Sequence, residues 1–341
     1  MRVLPRSPCG TESTPVCVGV VIVESLFAMS ASQPVLLILH VLAPEHRAQL
    51  AAHFEVLYAP DRTQCAQAIA AHGARIAAVL TIGAIGLSAA QMQAMPQLRM
   101  VGALGAGYEN IDVAHAKAHG IVVSNGAGTN DSCVADHAFG LVVAAVRGFG
   151  RLDRLTREGV WRNDIPLPPQ VSGKRLGILG LGTIGEKIAR RALAFDMPVG
   201  YHNRKPKAGA EHAYFDSLLA LATWADVLVV ATPGGAGTQH LVNAQVLAAL
   251  GRNGYVVNIA RGSVIDTAAL AAALREGRLA GAGLDVYESE PAPPAELLAL
   301  DSVVLTPHVA GWSPEAVQAT VDLFERNARA FFAGQPLITP V

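Results

Sequence analysis

Residues 175–189 read Arg175-Leu-Gly-Ile-Leu-Gly-Leu-Gly-Thr-Ile-Gly-Glu-Lys-Ile-Ala189. An apolar strand pattern opens the segment, and its later glycines have the GxGxxG spacing of a dinucleotide-binding turn. In such a turn Gly180 permits the sharp bend, Gly182 lets the backbone approach a pyrophosphate, and Gly185 lets helix and strand pack closely. The amides of Thr183 and Ile184 would meet the phosphate charge at the helix N-terminus. We therefore predict dinucleotide binding, the alternative being a glycine-rich strand–helix turn without a ligand.

Short apolar runs alternate with helical patterns on both sides of this turn, from Val35 to the end of the chain. Such alternation is typical of parallel strands joined by crossover helices. We predict an α/β protein with two doubly wound parallel-sheet domains, a Rossmann-type cofactor domain and a smaller flavodoxin-like substrate domain. The predicted strands of the smaller sheet are Val35–His40, Glu55–Tyr58, Ile76–Thr81, Met100–Leu104 and Ile121–Val123. Those of the larger sheet are Arg175–Leu179, Pro198–His202, Asp226–Ala231, Tyr255–Asn258, Ala280–Val286 and Val303–Thr306.

The domain boundaries follow from two long helical patterns. A glycine-rich turn with candidate N-caps at 130–132 precedes an apolar helix over Cys133–Val146, which we expect to cross between the domains. A last helix over Pro314–Ala333 is expected to return to the first domain. We thus predict a substrate domain of 33–130 plus 313–341, a dinucleotide-binding domain of 131–312, and a disordered extension over 1–32. The apolar surface of the first helix predicts a homodimer, the alternative being ordinary core.

Composition excludes several other classes of protein. The 341 residues carry a formal net charge of −1, and no basic stripe interleaved with aromatic residues is present, so we expect no nucleic-acid partner. No apolar run approaches the roughly 18 residues of a membrane span. The four cysteines form no CxxC pair and lie near no histidine cluster in the sequence, which predicts a reducing compartment, the cytoplasm, and no metal site.

The end of the strand after the glycine turn predicts which dinucleotide binds. An NAD site places an acidic residue about 20 positions on, where it holds the ribose 2′-hydroxyl. Here the strand ends in Tyr201-His-Asn-Arg-Lys205, and no Asp or Glu occurs between Asp196 and Glu211. Arg204 could bind a 2′-phosphate with help from Asn203 and Lys205 or Lys207. NADP(H) is therefore the predicted cofactor, with NAD(H) and a solvated basic turn left as alternatives.

Three later segments add chemistry, and each begins at the carboxyl end of a predicted strand. They are Asn258-Ile-Ala-Arg-Gly262, Leu284-Asp-Val-Tyr-Glu-Ser-Glu-Pro291 and Thr306-Pro-His-Val-Ala-Gly-Trp312. Arg261 is a permanently charged fork that can bind a carboxylate and polarise a carbonyl. His308 can give a proton near neutral pH, and Glu290 beside it would favour the charged imidazole. Singly, each has a structural explanation; together, at one edge of a cofactor sheet, they predict an active site.

These segments, with the glycine turn, closely resemble the D-isomer-specific 2-hydroxyacid dehydrogenase family, in particular its glyoxylate/hydroxypyruvate and hydroxyphenylpyruvate reductase branch. The resemblance implies that Arg261, Glu290 and His308 are catalytic, with Glu290 rather than Glu288 as the partner of the histidine. It implies that Asp285 contacts the nicotinamide carboxamide. It also implies that Thr232, Pro233 and Ala260 line the cofactor, and that Gly105, Ala106 and Gly107 form the substrate loop, where the last two amides hold the substrate carboxylate.

The expected reaction is hydride transfer between NADP(H) and a small 2-keto or 2-hydroxy acid of the glyoxylate, hydroxypyruvate or phenylpyruvate type, with D-specificity. An alternative from another class is a dinucleotide-sensing, corepressor-like interaction protein of the same fold. One departure from the family lies in the residues after Pro233. They read Gly234-Gly-Ala-Gly-Thr238, where relatives carry bulkier side chains, so Gly234 onward is not assigned to the cofactor.

Overall fold

The protein has two sheets, and every pair of neighbouring strands in them is parallel. The computed structural model describes residues 33–341, so the extension expected over 1–32 lies outside the described residues. One sheet contains β1 (Val35–Ile38), β2 (Glu55–Tyr58), β3 (Ile76–Ile82), β4 (Met100–Leu104) and β5 (Val122–Asn125). Its order, β2-β1-β3-β4-β5, is that of flavodoxin-like sheets.

The second sheet has seven strands. They are β6 (Leu176–Leu179), β7 (Val199–His202), β8 (Ala213–Tyr214), β9 (Val227–Val230), β10 (Tyr255–Asn258), β11 (Gly281–Leu284) and β12 (Val303–Leu305). The order is β12-β11-β10-β9-β6-β7-β8, which is a Rossmann order with one further strand at the β12 edge. The order reverses at β6, so a crevice for a ligand forms beyond the carboxyl end of that strand, where the glycine turn begins.

Helices cover both sheets. Those connecting the five-stranded sheet are α1 (Pro44–Ala51), α2 (Arg62–His72), α3 (Ala89–Gln93) and α4 (Val113–Ala118). The remaining helices are α5 (Asp131–Arg147), α6 (Phe149–Arg157), α7 (Thr183–Leu193), α8 (Leu218–Trp224), α9 (Ala244–Leu250), α10 (Thr267–Arg275) and α11 (Pro314–Phe332). The central strands β1, β6, β9, β10 and β11 are buried along their whole length, as expected for parallel strands covered on both faces.

The last helix, α11, packs against the five-stranded sheet. Phe324 of α11 lies against Gly102 of β4, where an added Cβ would stand 2.4 Å from the phenyl ring. Val321 and Ala328 of the same helix join Phe324 in one buried cluster with Leu36 of β1. The C-terminal residues therefore help to build the sheet that carries the predicted substrate loop.

Helix α5 belongs to the seven-stranded sheet. Its apolar side chains, including Val134, Phe139 and Val142, are buried in the same cluster as Ile178 of β6 and Val257 of β10. The apolar face of α5, from which the sequence predicts a homodimer, is therefore buried in the protein core. Support for a dimer has to come from another part of the surface.

Some boundaries differ from the predictions. Helix α5 begins at Asp131 after Asn130, whose side chain makes no capping hydrogen bond, and β5 runs to Asn125 rather than ending at Val123. The strand predicted to reach Val286 ends at Leu284, because the chain turns there into an irregular segment. Strand β8 was not predicted, since two residues at a sheet edge are too few to show a period.

Within residues 33–341, no single helix has the length and apolar composition needed to cross a membrane, although the bent pair α5–α6 passes on those two criteria alone. The same part of the chain holds no group of three or more His, Cys, Asp or Glu side chains arranged to bind a metal ion.

Candidate active site

The glycine turn joins β6 to α7 and fits a dinucleotide. Gly180 has φ of 102°, and an added Cβ would meet the Ala231 carbonyl carbon at 2.8 Å and the Thr232 nitrogen at 2.9 Å. At Gly182 a Cβ would meet nothing within 4 Å, so the backbone there faces open space. Gly185 lies against the turn itself, since a Cβ would stand 2.4 Å from the Gly180 oxygen. The amino end of α7, beginning at Thr183, is thus open to a phosphate.

The basic turn after β7 is tied to the glycine turn. Asn203 Oδ1 accepts the Leu181 N–H at 2.7 Å, so this side chain shapes the loop. Lys207 Nζ lies 2.5 Å from Glu186 Oε1, which already supplies a counter-charge to this lysine. Arg204 and Lys205 are exposed, and neither side chain has a partner within the described chain.

Tyr201 and Lys205 form a YxxxK pattern, as in the catalytic pair of another dehydrogenase class. The structure gives Tyr201 a different place. Its ring is 2% exposed, and its hydroxyl accepts the Lys207 N–H at 3.0 Å. Because this buried hydroxyl is bonded to the backbone of Lys207, Tyr201 helps to hold the basic turn in place.

His308 and Glu290 are in direct contact. The distance from His308 Nδ1 to Glu290 Oε2 is 2.8 Å, while Glu290 Oε1 accepts the Tyr287 N–H at 2.8 Å. The hydrogen bond to Glu290 raises the pKa of His308; burial opposes this rise, the Glu290 charge adds to it, and the positive charge of Arg261 opposes it. Burial raises the pKa of Glu290, but the bonds from His308 and the Tyr287 amide outweigh it and leave this pKa lowered. The Nε2 atom of His308 has no partner in residues 33–341, so it can meet a substrate.

Asp285 builds the turn that carries His308. Its side chain is 1% exposed, and Oδ1 accepts the Thr306 hydroxyl at 2.6 Å and the Val309 N–H at 2.9 Å. Oδ2 accepts the Ala310 N–H at 2.8 Å, and the Asp285 carbonyl accepts the N–H of His308 at 2.8 Å. His308 has φ of 55°, a backbone conformation that non-glycine residues adopt only with support. These bonds provide that support, and the expected contact of Asp285 with a nicotinamide carboxamide stays a prediction.

Arg261 follows β10, and Asn258 fixes the turn between them. Asn258 is buried; its Oδ1 accepts the Ala260 N–H at 3.0 Å, and its Nδ2 donates to the Arg261 carbonyl at 3.0 Å. The guanidinium donates from Nη1 to the Ala260 carbonyl at 2.5 Å. Its Nη2 pairs with Glu109 Oε1 at 2.8 Å, which joins the end of β10 to the loop after β4.

The predicted substrate loop lies beside this guanidinium. A Cβ added to Gly107 would stand 2.1 Å from Arg261 Nη2. The amide N–H groups of Ala106 and Gly107 have no acceptor within residues 33–341. The structure therefore brings two unpaired backbone donors and a guanidinium together, which is a combination that suits a carboxylate.

The glycine-rich loop after Pro233 is shaped by Arg261. At Gly234 an added Cβ would stand 2.6 Å from Arg261 Cγ, so the absence of a side chain allows this approach. Beyond the loop, His240 Nε2 lies 2.6 Å from Glu288 Oε1, and the other Glu288 oxygen accepts the Thr267 N–H at 3.0 Å. Glu288 is thus the partner of His240, while Glu290 faces His308.

The remaining predicted residues lie around the same edge. Thr232 follows β9 next to the glycine turn, Pro233 continues toward Arg261, and Ala260 is buried between Asn258 and the guanidinium. Sequence reasoning assigned no role to Glu109, Asn258 or His240. Asn258 begins the segment Asn258–Gly262, so its place next to Arg261 in the sequence could have indicated its role. The partners of Glu109 and His240 come from distant elements and leave no such indication.

Comparisons with known proteins agree with this geometry. Residues 139–310 match the family described as D-isomer specific 2-hydroxyacid dehydrogenase, NAD binding domain. A hydroxyphenylpyruvate reductase from Plectranthus scutellarioides is 41% identical over 267 residues, covering 78% of this chain and 85% of the relative. A glyoxylate/hydroxypyruvate reductase from Arabidopsis thaliana is 41% identical over 271 residues, covering 79% and 87%.

A solved structure shows the same arrangement of the whole fold. The NADPH-dependent glyoxylate/hydroxypyruvate reductase from Sinorhizobium meliloti, in complex with NADP and malonate, superposes with a TM-score of 0.84 at 38% identity. The match covers 91% of this chain and 97% of the other. The sheets, the glycine turn and these relatives lead to one conclusion: the chain belongs to the D-isomer specific 2-hydroxyacid dehydrogenase family of nicotinamide-dependent oxidoreductases.

Proposed function

We propose that this protein is an NADPH-dependent reductase that converts a small 2-keto acid to its D-2-hydroxy acid. The observation that carries the proposal is the His308–Glu290 pair, with Nδ1 on the carboxylate at 2.8 Å and Nε2 without a partner in the described chain. The pair lies near Arg261, because the next residue, Gly262, stands against the backbone of Tyr287, whose N–H donates to Glu290. Reduction of a carbonyl next to a carboxylate needs a proton donor and a fixed positive charge, and a protonated imidazole beside a guanidinium supplies both.

In the proposed reaction, the amides of Ala106 and Gly107 hold the substrate carboxylate together with Arg261. Arg261 also polarises the carbonyl at C2. Bound NADPH supplies the hydride that reduces this carbon. His308 gives the proton on Nε2 to the carbonyl oxygen as negative charge develops there. Glu290 keeps the imidazole charged before this transfer and orients its ring. The substrate gains one hydride and one proton, and His308 regains its proton from solvent.

The preference for NADPH is proposed from the basic turn. Arg204 and Lys205 are exposed at the end of β7 and unpaired within residues 33–341, and the turn from Asp196 to Glu211 has no carboxylate between these two residues for a ribose 2′-hydroxyl. A 2′-phosphate would therefore find two free cations. The NADP complex of the Sinorhizobium meliloti reductase supports this choice.

We propose glyoxylate or hydroxypyruvate as substrates first, and phenylpyruvates next. The names of the relatives support both groups. Tyr108 and Trp312 are exposed beside the substrate loop and the His308 turn, so they can border the side chain of the substrate. The two sheets would act as domains, 33–130 plus 313–341 and 131–312, that close on the acid.

A substrate panel tests the proposal. Oxidation of NADPH and of NADH is followed with glyoxylate, hydroxypyruvate, pyruvate and 4-hydroxyphenylpyruvate, and the configuration of each product is determined. We expect turnover of at least one small keto acid, a higher kcat/KM with NADPH, and D products. Equal efficiency with NADH would contradict the cofactor preference. Binding of NADPH without turnover of any keto acid would contradict the reaction and favour the dinucleotide-sensing alternative.

We further propose a cytoplasmic homodimer. The cysteine pattern supports a reducing compartment, and Cys65 and Cys133 are free thiols. The surface that supports a dimer comprises Phe149 of α6 and, beyond it, Trp161 and Leu167, which are 50%, 69% and 96% exposed. Large apolar side chains so close in sequence and so exposed are typical of an interaction surface. Sedimentation at equilibrium distinguishes the dimer from a monomer.

A further inference from the structure

Two carbonyl groups of the substrate loop are hydrogen-bonded by Asn125, the last residue of β5, and by Gly126, which follows it. Asn125 Nδ2 donates to the Ala106 carbonyl at 2.9 Å, and the Gly126 N–H donates to the Gly105 carbonyl at 2.7 Å. A trans peptide group is planar, so its C=O and its N–H point in opposite directions. The Gly105 carbonyl shares a peptide group with the Ala106 N–H, and the Ala106 carbonyl shares one with the Gly107 N–H. Holding both carbonyls toward β5 therefore directs both N–H groups away from it.

The two N–H groups point to the space on the far side of the loop from β5, and a substrate carboxylate would bind there. Arg261 Nη2 lies beside the loop, close enough to Gly107 that a Cβ there would stand 2.1 Å from it. No carbonyl or side chain within residues 33–341 accepts from the two N–H groups. Without Asn125 and Gly126, these peptide groups could rotate and turn a carbonyl oxygen toward an arriving anion.

Gly126 achieves its bond by close approach. An added Cβ would stand 2.6 Å from the Gly105 nitrogen and 2.9 Å from Thr320 Cγ2, so no side chain fits between the substrate loop and α11. The orientation of the Asn125 amide is fixed as well. Its Oδ1 faces the Ala127 N–H at 3.4 Å, which leaves Nδ2 to face the Ala106 carbonyl.

The C-terminal segment holds Asn125 in turn. Thr339 Oγ1 donates to the Asn125 carbonyl at 2.6 Å, and the Asn125 N–H donates to the Thr339 carbonyl at 3.2 Å. Thr339 is itself fixed by Asn327 of α11, which is 0% exposed. Asn327 donates to Thr339 Oγ1 at 3.0 Å and accepts the Ile338 N–H at 2.7 Å. A continuous set of bonds thus runs from α11 through the C-terminus to the substrate loop.

We propose that Asn125 and Gly126 are positioning residues that aim the N–H groups of Ala106 and Gly107 at the substrate carboxylate, and that Thr339 keeps Asn125 in place. The inference rests on the proposed function, because it assumes that this loop binds a 2-keto acid. It assigns Asn125 no contact with the substrate, so its effect must appear in binding of the acid rather than in the chemical step.

The test compares Asn125→Ala, Asn125→Asp and Thr339→Val with wild type. Asn125→Asp keeps the shape but places an acceptor against the Ala106 carbonyl. For both Asn125 variants we expect KM for glyoxylate or hydroxypyruvate to rise about tenfold, with kcat and the KM for NADPH within about twofold. The calorimetric Kd of oxamate, an unreactive 2-keto-acid analogue, should rise by the same factor with NADPH present. Thr339→Val should show the same pattern at about threefold.

Asn243→Ala is the matched control. Asn243 also bonds backbone groups, since it caps α9 by accepting the N–H groups of Gln245 and Val246, but these bonds stay within α9 and do not involve the substrate loop. It should lower Tm by a similar amount and leave the KM for the keto acid unchanged. Equal KM shifts in Asn125→Ala and Asn243→Ala, or unchanged oxamate affinity in both Asn125 variants, would overturn the inference.

Failure of the proposed function has a different signature. Wild type that binds oxamate but reduces no keto acid would contradict the reaction, while the oxamate Kd of the variants would still decide the role of Asn125. Wild type that neither reduces keto acids nor binds oxamate would overturn both proposals, because no carboxylate site would then exist.

Discussion

Arg261 and Glu109 form an ion pair that joins the two sheets, with Nη2 and Oε1 2.8 Å apart. Glu109 follows β4 of the five-stranded sheet, and Arg261 follows β10 of the seven-stranded sheet. Each side chain is 34% exposed, so the pair is screened by solvent and is worth no more than about 1 kcal/mol. Its value lies in placement, because it holds the guanidinium against Gly107, beside the amides proposed to bind the substrate.

Removing the Glu109 carboxylate should weaken binding of the keto acid. Glu109→Gln keeps an acceptor but loses the charge, and Glu109→Ala loses both, so KM should rise in the order wild type, Gln, Ala, reaching about fivefold in Ala. Steady-state kinetics at fixed NADPH measures this. A fall in KM in either variant would show instead that Glu109 competes with the substrate for Arg261.

If His308 gives the proton, as proposed, the rate of keto-acid reduction should fall as pH rises. The hydrogen bond that His308 donates to Glu290 raises the pKa of His308 above its ordinary 6.5, so the charged imidazole persists to higher pH. In Glu290→Gln that support is lost, and the falling limb of kcat/KM should move to lower pH. Profiles over about pH 5 to 9 measure it. Oxidation of the D-hydroxy acid needs the neutral imidazole and should show the opposite slope. An unmoved limb in Glu290→Gln would remove Glu290 from this role.

Arg204 should contribute more than Lys207 to the proposed preference for NADPH, because Glu186 already neutralises Lys207. Arg204→Ala should raise the KM for NADPH about tenfold or more and leave the KM for NADH nearly unchanged. Lys207→Ala, the matched control in the same turn, should change neither by more than about threefold. Equal losses in the two variants would mean that the ion pair with Glu186 opens when NADPH binds.

Asp285 should be important for stability as well as for the site. Asp285→Asn places an amide donor beside the donors of Thr306, Val309 and Ala310, and should lower the free energy of unfolding by about 2–3 kcal/mol. Urea titration measures it. Asp266→Asn is the control, because Asp266 caps α10 and asparagine is an equally good cap. A loss no larger than that of the control would mean that water replaces these bonds.

The fold could be predicted from the sequence where the strands are buried along their whole length. Strands such as Val227–Val230 are buried throughout and show as apolar runs, and the glycine turn has a spacing that backbone approach requires. Arg261, Glu290 and His308 could be brought together in advance because each follows a parallel strand, and such strands end at one edge of a sheet.

Other features depend on the placement of the two sheets and could not be read in this way. Glu109 and Arg261 are 152 positions apart in the sequence (261 − 109), so no local spacing predicts their ion pair. The pairing of Lys207 with Glu186 depends on where α7 begins relative to the basic turn. The family resemblance led to a cofactor contact for Asp285, whereas its bonds within the chain were visible only in the folded structure.

The central claim is that the His308 imidazole delivers the proton during keto-acid reduction. Turnover and NADPH affinity of His308→Gln test it most directly, with His240→Gln as the matched control because His240 also contacts a glutamate, Glu288, at 2.6 Å. We predict an unchanged Kd for NADPH and a fall in kcat of about 10²–10⁴-fold for His308→Gln, against less than about fivefold for His240→Gln. Near-normal turnover by His308→Gln, or equal losses in the two variants, would contradict the account.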